Sequence, residues 1–333
     1  MAGLKLSVAV EKLRLAAPFR ISGFVFEEQD VVVATLEDGK HRGRGEASGV
    51  YYLNDTAATM VAAIEAARPA IEAGVDRAAL QRLLPAGGAR NAVDCALWEL
   101  DAHRRGTTVW NLAGLKSPKP LVTTFTLGAD EPEVMAAGAR KFAQARSLKL
   151  KLTGDLQLDI ARVNAVRAAR PEAWIGVDAN QGYSIDALNA LVGALIAANV
   201  SLLEQPLKRG READLDGFVS KIPIAADESV LNLADVAGLV GRFNVVNIKL
   251  DKCGGLTEGL AMAHAAKALG LSVMVGNMVG TSLAMAPAFV LGQLCDVVDL
   301  DGPIFLAKDR TPGMIYENGT AWSGENVWGG THS

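Results

Sequence analysis

Three acidic residues, Asp178, Glu204 and Asp227, stand 26 and then 23 residues apart, and each closes a short apolar run. Carboxylates with no histidine or cysteine beside them are hard oxygen donors. That set suits Mg²⁺, which keeps positions open for substrate oxygens. Lys149 and Lys151 stand two apart in Leu148-Lys149-Leu150-Lys151-Leu152, so on a strand they face one way. Lys249 lies in a further run, Asn247-Ile248-Lys249-Leu250. A buried lysine beside another is expected to have a lowered pKa and to serve as a base near neutral pH. Lys151 and Lys249 on opposite faces of one bound molecule would remove a proton from one side and return one to the other, inverting a stereocentre. A proton next to a carboxylate is weakly acidic because its loss builds a second negative charge. One divalent cation on the acidic trio, with Lys149 as a second positive group, would offset that charge. The trio would otherwise be plain helix caps, but three in register beside the lysines is hard to explain that way.

These side chains need a frame that brings distant segments together. From about residue 120, strand-like runs alternate with helical segments. The runs are Val122–Leu127, Leu148–Leu152, Trp174–Asp178, Ser201–Glu204, Ile222–Asp227, Val245–Leu250, Ser272–Gly276 and Val297–Leu300. Such alternation predicts a parallel βα barrel, whose chemistry lies at the C-terminal ends of its strands. Lys151 on the second strand and Lys249 on the sixth would face each other across it. The first fifty residues instead alternate like antiparallel strands, and 55–113 read as helices, which predicts a separate α+β unit. The expected division is residues 1–117 for that unit, with 310–333 returning to it, and 118–309 for the barrel.

The chain has 333 residues, half of them hydrophobic, with a net charge of −4 and no basic tract. Nucleic acid is therefore not an expected partner. Cys95, Cys253 and Cys295 are widely spaced and fit neither a disulfide framework nor a zinc motif. No signal-peptide pattern or membrane-length apolar run is evident, so a reducing, cytoplasmic setting is expected.

Together the Lys149-Leu150-Lys151 motif, the acidic trio and Lys249 resemble the muconate-lactonizing subgroup of the enolase superfamily. The resemblance runs over nearly the whole chain. It implies an α/β fold with a modified TIM barrel, (β/α)7β, an α+β capping domain, and one Mg²⁺ per subunit. The seventh strand ends in Val275-Gly276-Asn277-Met278, with no histidine of the mandelate-racemase type. Asp299-Leu300-Asp301-Gly302-Pro303 is similar to the motif with which dipeptide epimerases hold a substrate's α-ammonium group. Residues at i and i+2 face one way and can clamp one cation. Residues 84–98 and 247–258 also look like those of bacterial L-Ala-D/L-Glu epimerases. The resemblance implies Mg²⁺-dependent 1,1-proton transfer at the C-terminal residue of an L-Ala-Xaa dipeptide, a role in murein peptide metabolism, and substrate contacts from Thr126 and Asn277. A homo-oligomer is compatible with it.

One loop departs from the pattern. Glu-specific members carry an arginine a few residues past the Pro18-Phe19 pair, where this chain has Gly23, Phe24 and Phe26, with Arg20 out of register. An apolar C-terminal residue is therefore expected alongside Glu. The rival readings are a cycloisomerase, an o-succinylbenzoate synthase or an N-acylamino-acid racemase, whose substrates offer no ammonium to Asp299 and Asp301. A rival of another class is a non-catalytic metal-binding scaffold.

Overall fold

The computed structural model describes residues 3–21 and 24–331, with side chains given outside 19–24. Three strands open the chain: β1 (Lys5–Ile21), β2 (Phe24–Glu37) and β3 (Arg42–Ala47). They form an antiparallel sheet in the order β1-β2-β3. Helices follow: α1 (Ala57–Glu72), α2 (Arg77–Leu83), α3 (Gly88–Arg105) and α4 (Val109–Leu112). Side-chain caps start three of them. Thr56 and Thr59 form a reciprocal capping box on α1, Asp76 caps α2 and Thr108 caps α4. α3 has no such cap, and its Gly88 N–H donates instead to Asp55 Oδ2.

β4 (Leu121–Val122) leads into the barrel, which runs β5 (Thr124–Leu127), α5 (Pro132–Lys141), β6 (Ser147–Lys151), α6 (Leu156–Ala169), β7 (Trp174–Asp178), α7 (Ile185–Ala197), β8 (Leu202–Glu204), β9 (Ile224–Ala226), β10 (Val245–Ile248), α8 (Leu250–Cys253), α9 (Leu256–Ala268), β11 (Ser272–Val275), α10 (Ser282–Gly292) and β12 (Val297–Val298). The strands lie in sequence order in one parallel sheet, nearly closed on itself. At the seam between β5 and the end of β12, side chains supply the bonds. Thr124 Oγ1 donates to Asp299 Oδ1, Thr126 N to Asp301 Oδ2, and Leu300 N to Thr123 Oγ1.

The expected strands differ from the observed ones at their edges. Val122 leaves the first barrel strand and joins β4, which pairs with β14 (Thr320–Trp322) and, beyond it, β13 (Ile315–Glu317). Partner availability decides this: the C-terminal hairpin supplies an edge for Leu121 and Val122. The chain end then reaches the first unit, where Trp328 Nε1 donates to Arg44 O and Gly329 N to Glu99 Oε1.

Two large cores are separated by one helix. Ala92, Val93, Ala96, Leu97 and Leu100 of α3 pack with Val32, Ala34, Met60 and Ile64 of the antiparallel unit. Cys95, Trp98 and Ala102, on its other face, pack into the barrel core. These spacings follow the helical repeat of three and four residues. A smaller cluster of Leu202, Ala225, Val245 and Met274 fills the barrel interior below the strand ends. No helix among the described residues is long and apolar enough to cross a membrane.

Candidate active site

The alternation of β6 sends Leu148, Leu150 and Leu152 outward into the barrel core and Lys149 and Lys151 inward. Cross-strand register then assembles the acids. Lys151 pairs with Asp178, and Asp178 with Glu204. Asp227 follows β9 by one residue, and Lys249 follows β10 by one, at the N-terminus of α8. The strands carrying the acids, β7, β8 and β9, lie between those carrying the two lysines. Gly276 leaves room for this, since a Cβ there would lie 2.7 Å from Asn247 Oδ1 and 3.0 Å from Lys249 Cε.

Each acid of the trio is bound to a lysine. Lys151 Nζ lies 2.6 Å from Asp178 Oδ2, Lys149 Nζ 2.8 Å from Glu204 Oε2, and Lys249 Nζ 2.7 Å from Asp227 Oδ2. Lys149 also reaches Asp299 Oδ2 at 2.9 Å. Two further charged residues complete the group. Lys252 Nζ lies 2.6 Å from Asp227 Oδ1, and Glu228 is buried beside Asp227. Both escaped the sequence reading. The available signals were the Lys249-Leu250-Asp251-Lys252 spacing, one helical turn, and the acidic neighbour of Asp227.

Lys149 departs from the expected lowering of its pKa. Burial lowers Lys149, but Asp299, Glu204 and Asp178 raise it by more, so it stands well above its ordinary value. Lys249 is raised for the same reason, burial being outweighed by Asp227. Lys252 is lowered, by burial. Opposite charges within a few ångströms dominate over the neighbouring lysine.

Asp178, Glu204 and Asp227 each offer an oxygen atom within 4.8 Å of the others. Around them gather the carboxylates of Glu228, Asp299 and Asp301 and the ammonium groups of Lys149, Lys151, Lys249 and Lys252. Glu228 Oε2 and Asn247 Oδ1 are buried with no hydrogen-bond partner among the described residues. The hard-oxygen trio and these orphaned acceptors fit Mg²⁺.

Protons compete for the same oxygens. Burial and Asp178 push Glu204 up to about 7, and burial and Asp227 push Glu228 up to about 8. Both carboxyls hold protons below these values and must release them to take a cation. Mg²⁺ affinity is therefore expected to rise from about pH 6 to about pH 8. Calorimetry in buffers of different ionisation heat counts the protons released. An affinity flat over that range would show both groups already ionised.

A cavity above the trio is lined by Lys151, Lys249, Asp227, Glu228 and Asn277, with a roof of Phe26, Tyr51 and Tyr52 and a side wall of Met278 and Val279. The roof belongs to the antiparallel unit, and sequence reasoning found only Phe26 of it. Tyr51 meets Phe26 edge-on at 5.5 Å and Tyr52 at 5.2 Å between ring centres. Thr126, Lys149, Asp299 and Asp301 lie deeper, at the seam, and Asn277 Nδ2 donates to Asp299 O. Burial and neighbouring Asp299 push Asp301 up to about 7. Gly23 lies outside the described residues, as do the side chains of Arg20 and Phe24. Two larger grooves, about 650 Å³ around Arg146 and Trp174 and about 700 Å³ around Arg310, contain none of the trio or the inward lysines.

Residues 134–319 match the enolase C-terminal domain-like family, and residues 4–114 match the N-terminal domain of mandelate racemase / muconate lactonizing enzyme. The chain is 40% identical to the L-Ala-D/L-Glu epimerase of Escherichia coli over 305 residues, 92% of this chain and 95% of the relative. It is 34% identical to the hydrophobic dipeptide epimerase of Roseobacter litoralis over 329 residues, 92% of each. The dipeptide epimerase of Methylococcus capsulatus, solved with Mg and L-Arg-D-Lys, matches with a TM-score of 0.91 and 31% identity, covering 97% of this chain and 98% of the other.

Proposed function

Because the chain belongs to the enolase superfamily, within its mandelate racemase / muconate lactonizing group, we propose that it is a Mg²⁺-dependent dipeptide epimerase acting at the α-carbon of the C-terminal residue of an L-Ala-Xaa dipeptide. It is an isomerase of the racemase and epimerase kind. The observation that carries this reading is the placing of Lys151 and Lys249 on strands four positions apart, with the acidic trio on the strands between. A substrate carboxylate over the trio has its α-carbon between two ammonium-bearing side chains.

Asp178, Glu204 and Asp227 are the residues that would hold Mg²⁺, and the cation supplies charge stabilisation at the substrate carboxylate. Lys149 adds positive charge from below. In either direction one of Lys151 and Lys249 takes the α-proton and the other returns one to the opposite face. A lysine must be neutral to take a proton, and its carboxylate partner opposes this. Engagement of Asp227 elsewhere would release Lys249 from that constraint. Asp299 and Asp301 receive the substrate's α-ammonium group. The raised Asp301 carboxyl marks a place short of positive charge, and a free amino terminus would supply it. Thr126 and Asn277 align the peptide.

The C-terminal side chain meets an aromatic and aliphatic surface of Phe26, Tyr51, Met278 and Val279, where the cavity's cations are Lys151 and Lys249. L-Ala dipeptides ending in Leu or Phe are therefore expected to turn over at least as fast as L-Ala-L-Glu. Deuterium uptake at the α-carbon in D₂O, scored by mass over a dipeptide panel, tests this reading. A strong preference for Glu would show that a cation such as Arg20 reaches the side-chain pocket. Turnover of N-acylated amino acids with none of free dipeptides would overturn the dipeptide reading itself.

A further inference from the structure

The roof of the cavity is fixed from below by an acid that takes no part in the proposed proton transfer. Asp251, two residues after Lys249, is buried, and its Oδ1 accepts the N–H groups of Ser48 at 2.9 Å and Gly49 at 3.1 Å. Ser48 Oγ in turn donates to Val279 O of the cavity wall. Gly49 has φ +69°, and a Cβ there would lie 2.2 Å from Asp55 O, so the turn is tight and closed. Asp55 N and Leu53 N both donate back to Val50 O. The segment that carries Tyr51 and Tyr52 is thus tied to the same short stretch that bears Lys249.

Tyr52 lines the cavity, and its hydroxyl is buried with no hydrogen-bond partner among the described residues. A buried hydroxyl without a partner costs free energy, so its direction needs a reason. Tyr52 shares that cavity with Asp227, Glu228, Lys151 and Lys249, which surround the place of the proposed substrate carboxylate. Burial keeps this phenol protonated, and therefore a donor. We propose that the Tyr52 hydroxyl donates a hydrogen bond to the substrate's reacting carboxylate, and that Asp251 is the positioning residue that holds the roof segment at the height this bond requires. The inference rests on the epimerase reading above. As the α-proton leaves, negative charge grows on the carboxylate, so the bond strengthens towards the transition state and its loss falls on kcat.

Tyr52→Phe removes one oxygen atom. Its kcat for α-proton exchange is expected to fall at least about tenfold, with KM changed by less than about threefold. Mg²⁺ affinity by calorimetry should be unchanged, and Tm should not fall, since the substrate-free protein loses only an unpartnered buried hydroxyl. Asp251→Ala should give the same split, Asp251→Asn should recover most of the loss because it keeps the accepting oxygen, and Asp251→Ala should add little in a Tyr52→Phe background. Calorimetric dipeptide binding in a Lys151→Ala background gives a readout without turnover, and Tyr52→Phe should weaken it by less than it lowers kcat. Wild-type kcat in Tyr52→Phe, or a fall in Mg²⁺ affinity that accounts for the whole loss, would overturn the assignment of the hydroxyl. Multiplicative losses from Tyr52→Phe and Asp251→Ala would overturn the role of Asp251. Should Asp251→Ala not fold, Tyr52→Phe and Asp251→Asn still decide. Wild-type protein that exchanges no dipeptide proton fails the epimerase reading instead, so the two failures are distinguishable.

Discussion

Lys151→Ala and Lys249→Ala are each expected to abolish net epimerisation while leaving opposite halves of the exchange reaction in place. Positioned acid–base groups contribute about 10²–10⁴-fold, and a two-base inversion needs both, so net turnover should fall by at least about 10³-fold in either variant. The halves differ because the lysines approach from different strands, β6 and the end of β10. A substrate epimer whose α-proton faces the lost lysine cannot exchange it, whereas the other epimer still can. Deuterium exchange from each pure epimer, followed by NMR, reads this directly. Lys→Arg at either position keeps the charge and the pairing with Asp178 or Asp227 but not the base, and should resemble Lys→Ala. Loss of exchange from the same epimer in both variants would contradict the opposed placement. So would wild-type turnover in either one.

Removal of the cation is the second large effect. Exhaustive chelation should bring exchange to background, and added Mg²⁺ should restore it. Asp178→Asn, Glu204→Gln and Asp227→Asn should each weaken Mg²⁺ binding by at least about 100-fold, since direct ligands matter at least as much as their supporting neighbours. The three should differ in a second respect. Asp227 is paired with both Lys249 and Lys252, so Asp227→Asn leaves two buried ammonium groups short of a partner and should also lower Tm. Glu204→Gln removes an acid that its burial already disfavours, and should cost less stability. Full activity after chelation, or a metal complex ligated by other residues, would refute the assignment.

The barrel and its trio were legible because a βα unit has a nearly constant length and places its C-terminal residue at one end of the sheet. Asp178, Glu204, Asp227 and the Lys149/Lys151 pair therefore declared themselves by spacing alone. The environment of those lysines was not legible. Whether a buried lysine is raised or lowered depends on how many carboxylates surround it, and Asp299 comes from a strand about 150 residues away from Lys149. The roof was equally hidden. Tyr51 and Tyr52 fall between the expected strands and the expected helices, and only the seating of one unit on the other brings them into the cavity with Lys249. Val122 shows the same limit on a small scale, since a two-residue strand belongs to whichever edge meets it.

α3 presents one face to each of the two large cores. Pulling the antiparallel unit off the barrel would take α3 with it and expose Cys95, Trp98 and Ala102 to water, so the two halves of the molecule should melt as a single cooperative unit. The same contact opposes a swinging lid: tilting the antiparallel unit away from the barrel would open the apolar surface beneath α3 to water. Substrate entry and release are therefore expected to rest on small local rearrangements at the rim of the cavity.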